Sequence, residues 1–311
     1  VMALTDSEAL TLRKDPRVNS VHEPIEWNDD MLDFEVNHRT NWTRDSSATA
    51  NRNNWGMLRH IEATNGWGSG AQTGTRSTEY YTGHLDGTGV DVVVHEGLVR
   101  HTHEQFYDAD GNTRFNQLQW NTLPNMSGAN TITYGSGTSD HATHVLGTIA
   151  GLTVGWAPNA QLYSCPLSAL GSSVYWWDAV KEFHLNKSID PKTGYRRPTV
   201  MNMSWGYKTY ISSNVTNIIF RGTTTNTTAR NRSYGFWGGS YYGQYRLNCP
   251  IYGFESELEE LHEAGVVVCK SAGNQYQKLA TANDIDYDNY CTKSTNEGNV
   301  TAGDPLYYNR G

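Results

Sequence analysis

Four short polar segments carry residues that could move a proton or stabilise a negative charge. These are His95-Glu96-Gly97, His141, Ser204-Trp205-Gly206 and Ser271-Ala272-Gly273-Asn274. A carboxylate, an imidazole and a side-chain amide are three of the groups that acyl transfer needs, as orienting acid, general base and oxyanion donor. These residue types therefore indicate acyl-transfer chemistry, provided that the fold brings the four segments together.

The elements around these segments alternate between strands and helices. Apolar runs predict strands at 90–94, 160–167, 198–203 and 266–270, and helical spacing predicts helices at 141–150, 172–187 and 255–265. Ser139 or Asp140 is the expected N-cap of the first helix. This alternation predicts an α/β fold, with a parallel sheet and helices on both faces. Sites in such folds lie at the carboxyl ends of the strands, where the four segments occur.

The composition of the chain changes along its length. Residues 4–24 begin with a short amphipathic pattern, and residues 25–75 are rich in Asn, Trp, Thr and Arg without clear periodicity. We therefore predict an irregular N-terminal segment over 1–75 and an α/β domain over 76–311. Residues 207–253, rich in Gly, Asn, Thr and Tyr, interrupt the alternation and are predicted to form a long surface insertion.

The charge balance argues against two classes of partner. Lys and Arg total 24 against 32 Asp and Glu, which gives a net charge of −8. We therefore expect no nucleic acid and no membrane surface as a partner. No apolar stretch approaches the roughly 18 residues that a spanning helix needs.

The four cysteines do not show the spacing of a zinc site or of a disulfide scaffold. Cys165 and Cys269 lie in apolar strand-like runs, so we expect buried thiols. Cys249 and Cys291 lie in polar stretches, and their pairing is left open, as is the cellular compartment. Because the chain begins with Val1, we expect a processed chain or a fragment.

Five segments resemble the motifs of the subtilisin-like serine peptidases, in the order in which that family carries them. GVDVVVHEGLVRHTHEQF is similar to the aspartate motif, HATHVLGTIAG to the histidine motif HGTHVAGTIA, and VVVCKSAGN to VVVxAAGN. GWAPNAQLYSCPL and VMNMSWG resemble two further motifs. The matching segments span residues 87–274, so the resemblance implies a subtilisin-like fold and hydrolysis of peptide bonds in protein or peptide substrates through an acyl-enzyme.

The resemblance also implies roles for residues at matching positions. His141 is the expected general base and Asn274 the expected oxyanion donor, while Ser204, Trp205, Gly206 and Gly273 are expected to bind substrate. Aligning on Gly97 alone puts His95 at the acid position. Aligning on the strand and His103 together puts Glu96 there, and we adopt Glu96 because a carboxylate is kept. Glutamate is one methylene longer than the family's aspartate, and Ala142 replaces a glycine of the histidine motif.

The nucleophilic serine that the family carries in a GTS[MA]xP motif has no counterpart after Asn274. Gly137-Thr138-Ser139 directly precedes the His141 helix and lacks the trailing residues, so it is not a candidate. Three explanations stay open: the sequence continues past Gly311, a second fragment supplies the serine, or activity has been lost. We favour the first.

Two further resemblances bear on the biological context. Residues 4–24 are similar to the end of the family's inhibitory propeptide, which implies that 1–75 includes a propeptide-like remnant. EFHLNKSIDPKTGYRRPTVMNMSWG is similar to a subtype found in virion proteins of marine tailed phages. Glu96, Ala142, the insertion at 207–253 and the missing serine motif favour an alternative function as a non-catalytic component that keeps the scaffold, and the subtype implies other virion proteins as its partners. The location is left open, with an extracellular or virion-associated one favoured over a membrane.

Two acidic runs have the spacing of calcium ligands. One contains Asp108 and Asp110 and the other Asp284 and Asp286, but neither completes a twelve-residue loop with a terminal glutamate. We expect no required cofactor and keep calcium as the candidate ion, with solvated acidic turns as the alternative. The histidines between 95 and 103 lack HExxH spacing, which makes a metal-dependent hydrolase the weakest hypothesis. His144 is expected to pack rather than to bind a metal.

Overall fold

The computed structural model describes residues 4–15, 17, 34–36, 41–44, 74–77, 81–83, 85–108, 110–116, 118–126, 139–167, 173–191, 193–206, 209–212, 217–226, 244–247, 252–273, 278–292 and 305–310. The chain divides into two compact units, Val1–Leu85 and Asp86–Gly311.

The first unit contains one helix and four short strands in its described parts. They are α1 (Asp6–Arg13), β1 (Phe34–Val36), β2 (Asn41–Arg44), β3 (Gly74–Ser77) and β4 (Tyr81–Gly83). Strand β1 pairs antiparallel with β4, and β2 pairs antiparallel with β3. A capping box starts α1, because the Thr5 hydroxyl accepts a bond from the Glu8 amide and the Glu8 carboxylate accepts one from the Thr5 amide at 2.8 Å.

The second unit contains the predicted alternation of strands and helices. Its helices are α2 (Asp140–Ala150), α3 (Ser173–Leu185) and α4 (Tyr252–Glu263). Its strands are β5 (Asp91–Val94), β6 (Gln161–Ser164), β7 (Thr199–Met203), β8 (Thr209–Ser212), β9 (Asn217–Phe220), β10 (Thr223–Asn226), β11 (Gln244–Leu247), β12 (Val267–Lys270), β13 (Tyr290–Thr292) and β14 (Pro305–Tyr307). None of the helices in the described parts of the chain has the length and apolar character to cross a bilayer.

Strands β6, β5, β7 and β12 form a parallel sheet in that order, which confirms the predicted α/β fold. Helix α2 lies in the connection from β5 to β6, α3 in that from β6 to β7, and α4 in that from β7 to β12. All four residues of β5 are buried, as expected of a central strand flanked on both sides. Apolar residues of all three helices join the core around it.

The strand order creates a switch point beside β5. The chain moves from β5 to β6 on one side and then returns to β7 on the other side. Ligands of open α/β sheets bind outside the carboxyl ends of the strands at such a point. The segments that follow β5 and β7 begin at His95 and Ser204, so the fold places them together at the expected location.

Much of the predicted insertion at 207–253 lies outside the described residues, but four strands within it are described. Strands β8 and β11 pair antiparallel with each other. Strands β9 and β10 form a hairpin, and β9 also pairs with β13, which pairs with β14. The hairpin therefore belongs to a four-stranded sheet with residues near the end of the chain.

Strand β12 is more exposed than its sequence suggests. Among the described residues it pairs with β7 alone, and Val267 is 54% exposed. Cys269 is also exposed, so the expectation of a buried thiol there is wrong, because an apolar run does not distinguish an edge strand from a central one. Cys165 is buried as expected, and Cys291 is buried in β13 rather than lying in a polar loop.

Candidate active site

Glu96 lies two residues beyond the end of central strand β5, and its side chain is only 5% exposed. Its backbone is fixed there because its carbonyl accepts a hydrogen bond from the Leu167 amide at 2.8 Å. One carboxylate oxygen, Oε1, accepts a hydrogen bond from the backbone amide of Ser204 at 2.8 Å. The other, Oε2, lies 3.2 Å from Nδ1 of His141. The glutamate therefore joins the segment after β7 to the histidine on α2.

His141 is the second residue of α2, and its side chain is 65% exposed. Ser139 caps this helix, with its hydroxyl accepting a hydrogen bond from the Ala142 amide at 3.2 Å. A contact from Nδ1 to a carboxylate sets the tautomer of an imidazole and leaves Nε2 as the nitrogen that can accept a proton. The arrangement of a buried carboxylate against an exposed imidazole is that of an orienting acid and a general base.

The chain after Glu96 packs closely on the start of α2. The Ser139 amide donates to the Leu98 carbonyl at 3.1 Å, and the Arg100 amide donates to the Thr143 hydroxyl at 3.0 Å. A Cβ on Gly97 would lie 2.8 Å from the Ser139 hydroxyl oxygen, closer than real contacts allow. Glycine at 97 therefore permits the approach that brings the acid to the base.

His95 forms its hydrogen bond with the segment that follows β6 rather than with His141. Its ring is buried and Nδ1 donates to the Cys165 carbonyl at 2.7 Å. Burial lowers the pKa of His95 to about 4, only partly offset by that hydrogen bond, so the ring is neutral near pH 7. The carboxylate of Glu96, rather than the imidazole of His95, thus lies at the acid position beside His141.

Trp205 ties the predicted substrate-binding segment to the strand that ends in the acid. Its indole Nε1 donates to the His95 carbonyl at 2.7 Å, and the two rings pack edge to face with centroids 5.3 Å apart. The side-chain amide of Asn202 also donates to the Ser204 hydroxyl at 3.1 Å. Together with the bond between Ser204 and Glu96, these contacts give residues 204–206 a fixed position.

The segment after β12 lies beside the one after β7, because the Ser271 amide donates to the Met203 carbonyl at 3.0 Å. Gly273 has a φ of +77°, in the left-handed region that favours glycine. Asn274 lies outside the described residues, so its function as an oxyanion donor stays a prediction. The structure thus brings together Glu96, His141 and the 204–206 segment, with Gly273 on the neighbouring strand end.

The carboxylates of Asp284 and Asp286 already contact cationic side chains. Arg221 binds Asp286 through two nitrogens at 2.7 and 3.1 Å, and Lys278 binds both aspartates. The hydrogen bonds from Arg221 are the largest cause that holds the pKa of Asp286 far below its usual range. Calcium binding at this pair stays a prediction and requires displacement of these cations.

Asp108 folds a turn in the other predicted calcium run. Its Oδ1 accepts backbone hydrogen bonds from Asp110 at 3.0 Å and Asn112 at 2.7 Å. Calcium at Asp108 and Asp110 likewise stays a prediction. His144, expected to pack, is exposed on α2, so that expectation is wrong: position 144 lies on the outward face of the helix.

One residue that fixes the helix of His141 had no sequence signal. The buried guanidinium of Arg114 donates to the carbonyls of Pro158 and Ala150 at 2.5 Å each and of Gln105 at 2.7 Å. Ala150 is the last residue of α2, where a positive charge is favourable. Arg114 thus fixes the far end of the helix that carries His141.

Comparisons with known proteins identify the family of this chain. The sequence profile of the Subtilase family matches residues 87–303, and no curated protein matches the chain. A cold-adapted subtilisin-like serine proteinase of known structure is 21% identical, with 61% of this chain and 48% of that chain covered and a TM-score of 0.32. The CspB protease of Clostridium perfringens is 20% identical, with 42% and 31% covered and a TM-score of 0.28.

The chain spans about half the length of the first of these proteases and about a third of the second. The family profile, by contrast, covers more than half of this chain. It includes the two strand ends and the helix that position Glu96, Ser204 and His141. The chain therefore belongs to the Subtilase family and has its α/β fold with a parallel sheet.

Proposed function

We propose that this chain supplies the acid, the base and the substrate-binding segments of a subtilisin-like serine endopeptidase. The contact between Oε2 of Glu96 and Nδ1 of His141, at the carboxyl end of the central strand, is the observation that supports this most directly. Family membership supports a peptidase scaffold. Protein or peptide substrates follow from the same membership as part of the proposal.

In the proposed reaction a serine hydroxyl attacks the carbonyl carbon of a peptide bond while His141 takes the hydroxyl proton at Nε2. The oxyanion that forms accepts a hydrogen bond from the Asn274 side chain. The C–N bond then breaks, and His141 returns the proton to the leaving amine. Water, deprotonated by His141, attacks the resulting ester. The ester C–O bond then breaks, the acid product leaves, and His141 returns the proton to the serine oxygen.

Glu96 acts in this scheme by orienting His141 and by stabilising the imidazolium that forms in each step. The extra methylene of glutamate is accommodated by a second anchor. Because Oε1 is held by the Ser204 amide, the carboxylate has one fixed position despite its longer arm. The same bond places residues 204–206 beside the base, where they can pair with an extended substrate.

The attacking serine is proposed to come from polypeptide outside these 311 residues. The support is that the family's Gly-Thr-Ser motif does not follow Asn274 in the sequence. The described serine closest in sequence to His141 is Ser139, which caps α2 and whose Gly-Thr-Ser context lacks the rest of the motif.

A non-catalytic component that keeps the scaffold, such as a virion protein bound to other virion proteins, is the second candidate. The absence of the serine motif from this sequence and the replacement of aspartate by Glu96 favour it. The two candidates differ in one measurable property, which is the reactivity of a serine in the full gene product.

Labelling of the full gene product with a fluorophosphonate tests the proposal. We expect covalent labelling of one serine, and a loss of at least about a hundredfold in labelling rate in His141→Ala. His144→Ala, which removes an exposed histidine from the same helix, is the matched control and keeps the wild-type rate. Intact, folded protein that is not labelled supports the non-catalytic candidate instead.

A further inference from the structure

We propose that Lys270 selects substrates that carry an acidic side chain within one or two residues of the bond that is cut. This inference rests on the proposed function and adds to it the chemical class of substrate. It depends on three observations: the position of Lys270 beside Gly206, the short spacing between Gly206 and the pair of Glu96 and His141, and the charge environment of the lysine.

Lys270 is the last residue of β12 and pairs in register with Met203 of β7. Its side chain reaches along the segment that follows β7. Cε lies 3.4 Å and Nζ 3.9 Å from the position that a Cβ on Gly206 would occupy. The ammonium group therefore lies directly beside the predicted substrate-binding segment, and because residue 206 has no side chain, it is not covered from that side.

The distance from the base follows from the backbone. Ser204 donates to Glu96, whose other oxygen contacts His141. Gly206 is two residues further on, about 7 Å in extended backbone. A substrate strand that pairs with residues 204–206 thus places one of its side chains beside Lys270. That side chain belongs to a residue within one or two positions of the peptide bond that is cleaved.

The charge environment distinguishes Lys270 from the other lysines that the structure describes in the second unit. Lys181, Lys187 and Lys278 are each paired with a carboxylate. Lys270 is exposed and forms no ion pair with any residue in the described parts of the chain. A cation without a carboxylate partner, on a chain of net charge −8, favours a glutamate or aspartate side chain of the substrate over a neutral or basic one.

Cleavage of a matched peptide set by the full gene product tests this. The peptides differ only in having Glu, Gln or Lys at one position, and that position is moved through the two residues on either side of the cleaved bond. At one position we expect Glu to exceed Gln in kcat/KM by about fivefold or more. The preference weakens as salt is added and changes to Lys in Lys270→Glu.

Lys14→Glu, at the C-cap of α1, is the control, because it changes the net charge equally in the other unit of the chain; we expect it to keep the preference for Glu. Cleavage with equal rates for Glu and Gln at every position overturns the inference and leaves the proposed function standing. Failure to cleave any peptide contradicts the proposed function. In that case, the affinity of the same peptides, carrying a fluorescent label, for the 311-residue chain is measured by fluorescence anisotropy. Tighter binding of the Glu peptide than of the Gln peptide, reversed in Lys270→Glu, supports the inference. Equal affinities overturn it.

Discussion

Nδ1 of His141 lies 3.2 Å from Oε2 of Glu96, and the glutamate is almost fully buried whereas the histidine is mostly exposed. This asymmetry suits the proposed chemistry, in which a fixed acid orients a base that must still reach a substrate. The burial of Glu96 is compensated by the Ser204 amide, which satisfies the oxygen that does not face the histidine. The contact between the two residues therefore depends on both neighbouring strands, β5 and β7.

Replacement of Glu96 tests its orienting function. Glu96→Gln keeps the size and removes the charge, so we expect fluorophosphonate labelling of the full gene product to slow by about 10² to 10⁴. Glu96→Asp is also expected to slow it, because the shorter arm cannot hold both Ser204 and His141 from the same backbone position. Thermal unfolding of each variant serves as the control for folding. A labelling rate for Glu96→Gln equal to wild type contradicts the assigned function.

The approach of Gly97 to Ser139 makes a second prediction. Gly97→Ala places a methyl group 2.8 Å from the Ser139 hydroxyl, so we expect a loss of about 1–3 kcal/mol in the free energy of unfolding by urea. Ser139→Gly removes the obstructing atoms and is itself mild, because glycine is tolerated at an N-cap. The double variant should recover most of the loss. If the double variant instead loses the sum of the two single losses in the free energy of unfolding, the close approach of residues 97 and 139 is contradicted.

The burial of His95 predicts a dependence of stability on pH. Its pKa is about 4 in the folded chain and about 6.5 when unfolded, so between these values the unfolded chain binds the additional proton. The stabilisation from the neutral ring is complete above about pH 6.5 and is lost as the pH falls towards 4, by about 3 kcal/mol.

Urea unfolding at several pH values measures this dependence. His95→Gln keeps a donor for the Cys165 carbonyl but cannot titrate, so its stability should fall less steeply between pH 6.5 and 4 than that of wild type. His144→Gln, on an exposed position, is expected to behave as wild type. Parallel curves for wild type and His95→Gln rule out the buried, neutral ring.

Arg114 is expected to be a major structural residue of the second unit. Arg114→Met leaves three carbonyl groups without their charged donor, so we expect a loss of about 3 kcal/mol or more in the free energy of unfolding. Arg114→Lys keeps the charge but has one ammonium in place of the planar fork, and should recover only part of the loss. A change in Arg114→Met below about 0.5 kcal/mol contradicts the three contacts.

Much of the second unit could be predicted from the sequence because its signals are local. The apolar run before His95 predicts strand β5, and Ser139 predicts the start of helix α2. Each prediction uses a few adjacent residues, and both elements are present in the structure. The exposure of Cys269 could not be predicted, since it depends on which strand lies at the edge of the sheet. Strand order is decided by long-range packing that leaves no periodic signal.

The candidate site also combines features that the sequence predicts with features that it does not. The choice of Glu96 over His95 followed from the strand alignment, and the structure places the glutamate facing His141. The Trp205 contact with His95 and the close fit of Gly97 against Ser139 join residues more than 40 positions apart. These contacts position Glu96 and residues 204–206, and only the tertiary structure reveals them.

The tautomer of His141 tests the central claim most directly, because the contact with Glu96 requires the proton on Nδ1. Long-range ¹H–¹⁵N correlation spectra of the histidine-labelled 311-residue chain, recorded under alkaline conditions in which imidazoles are neutral, report it, with His141→Ala for assignment. The account predicts a predominant Nδ1–H tautomer in wild type and a shift towards Nε2–H in Glu96→Ala. A wild-type His141 protonated on Nε2, unchanged by Glu96→Ala, would contradict it.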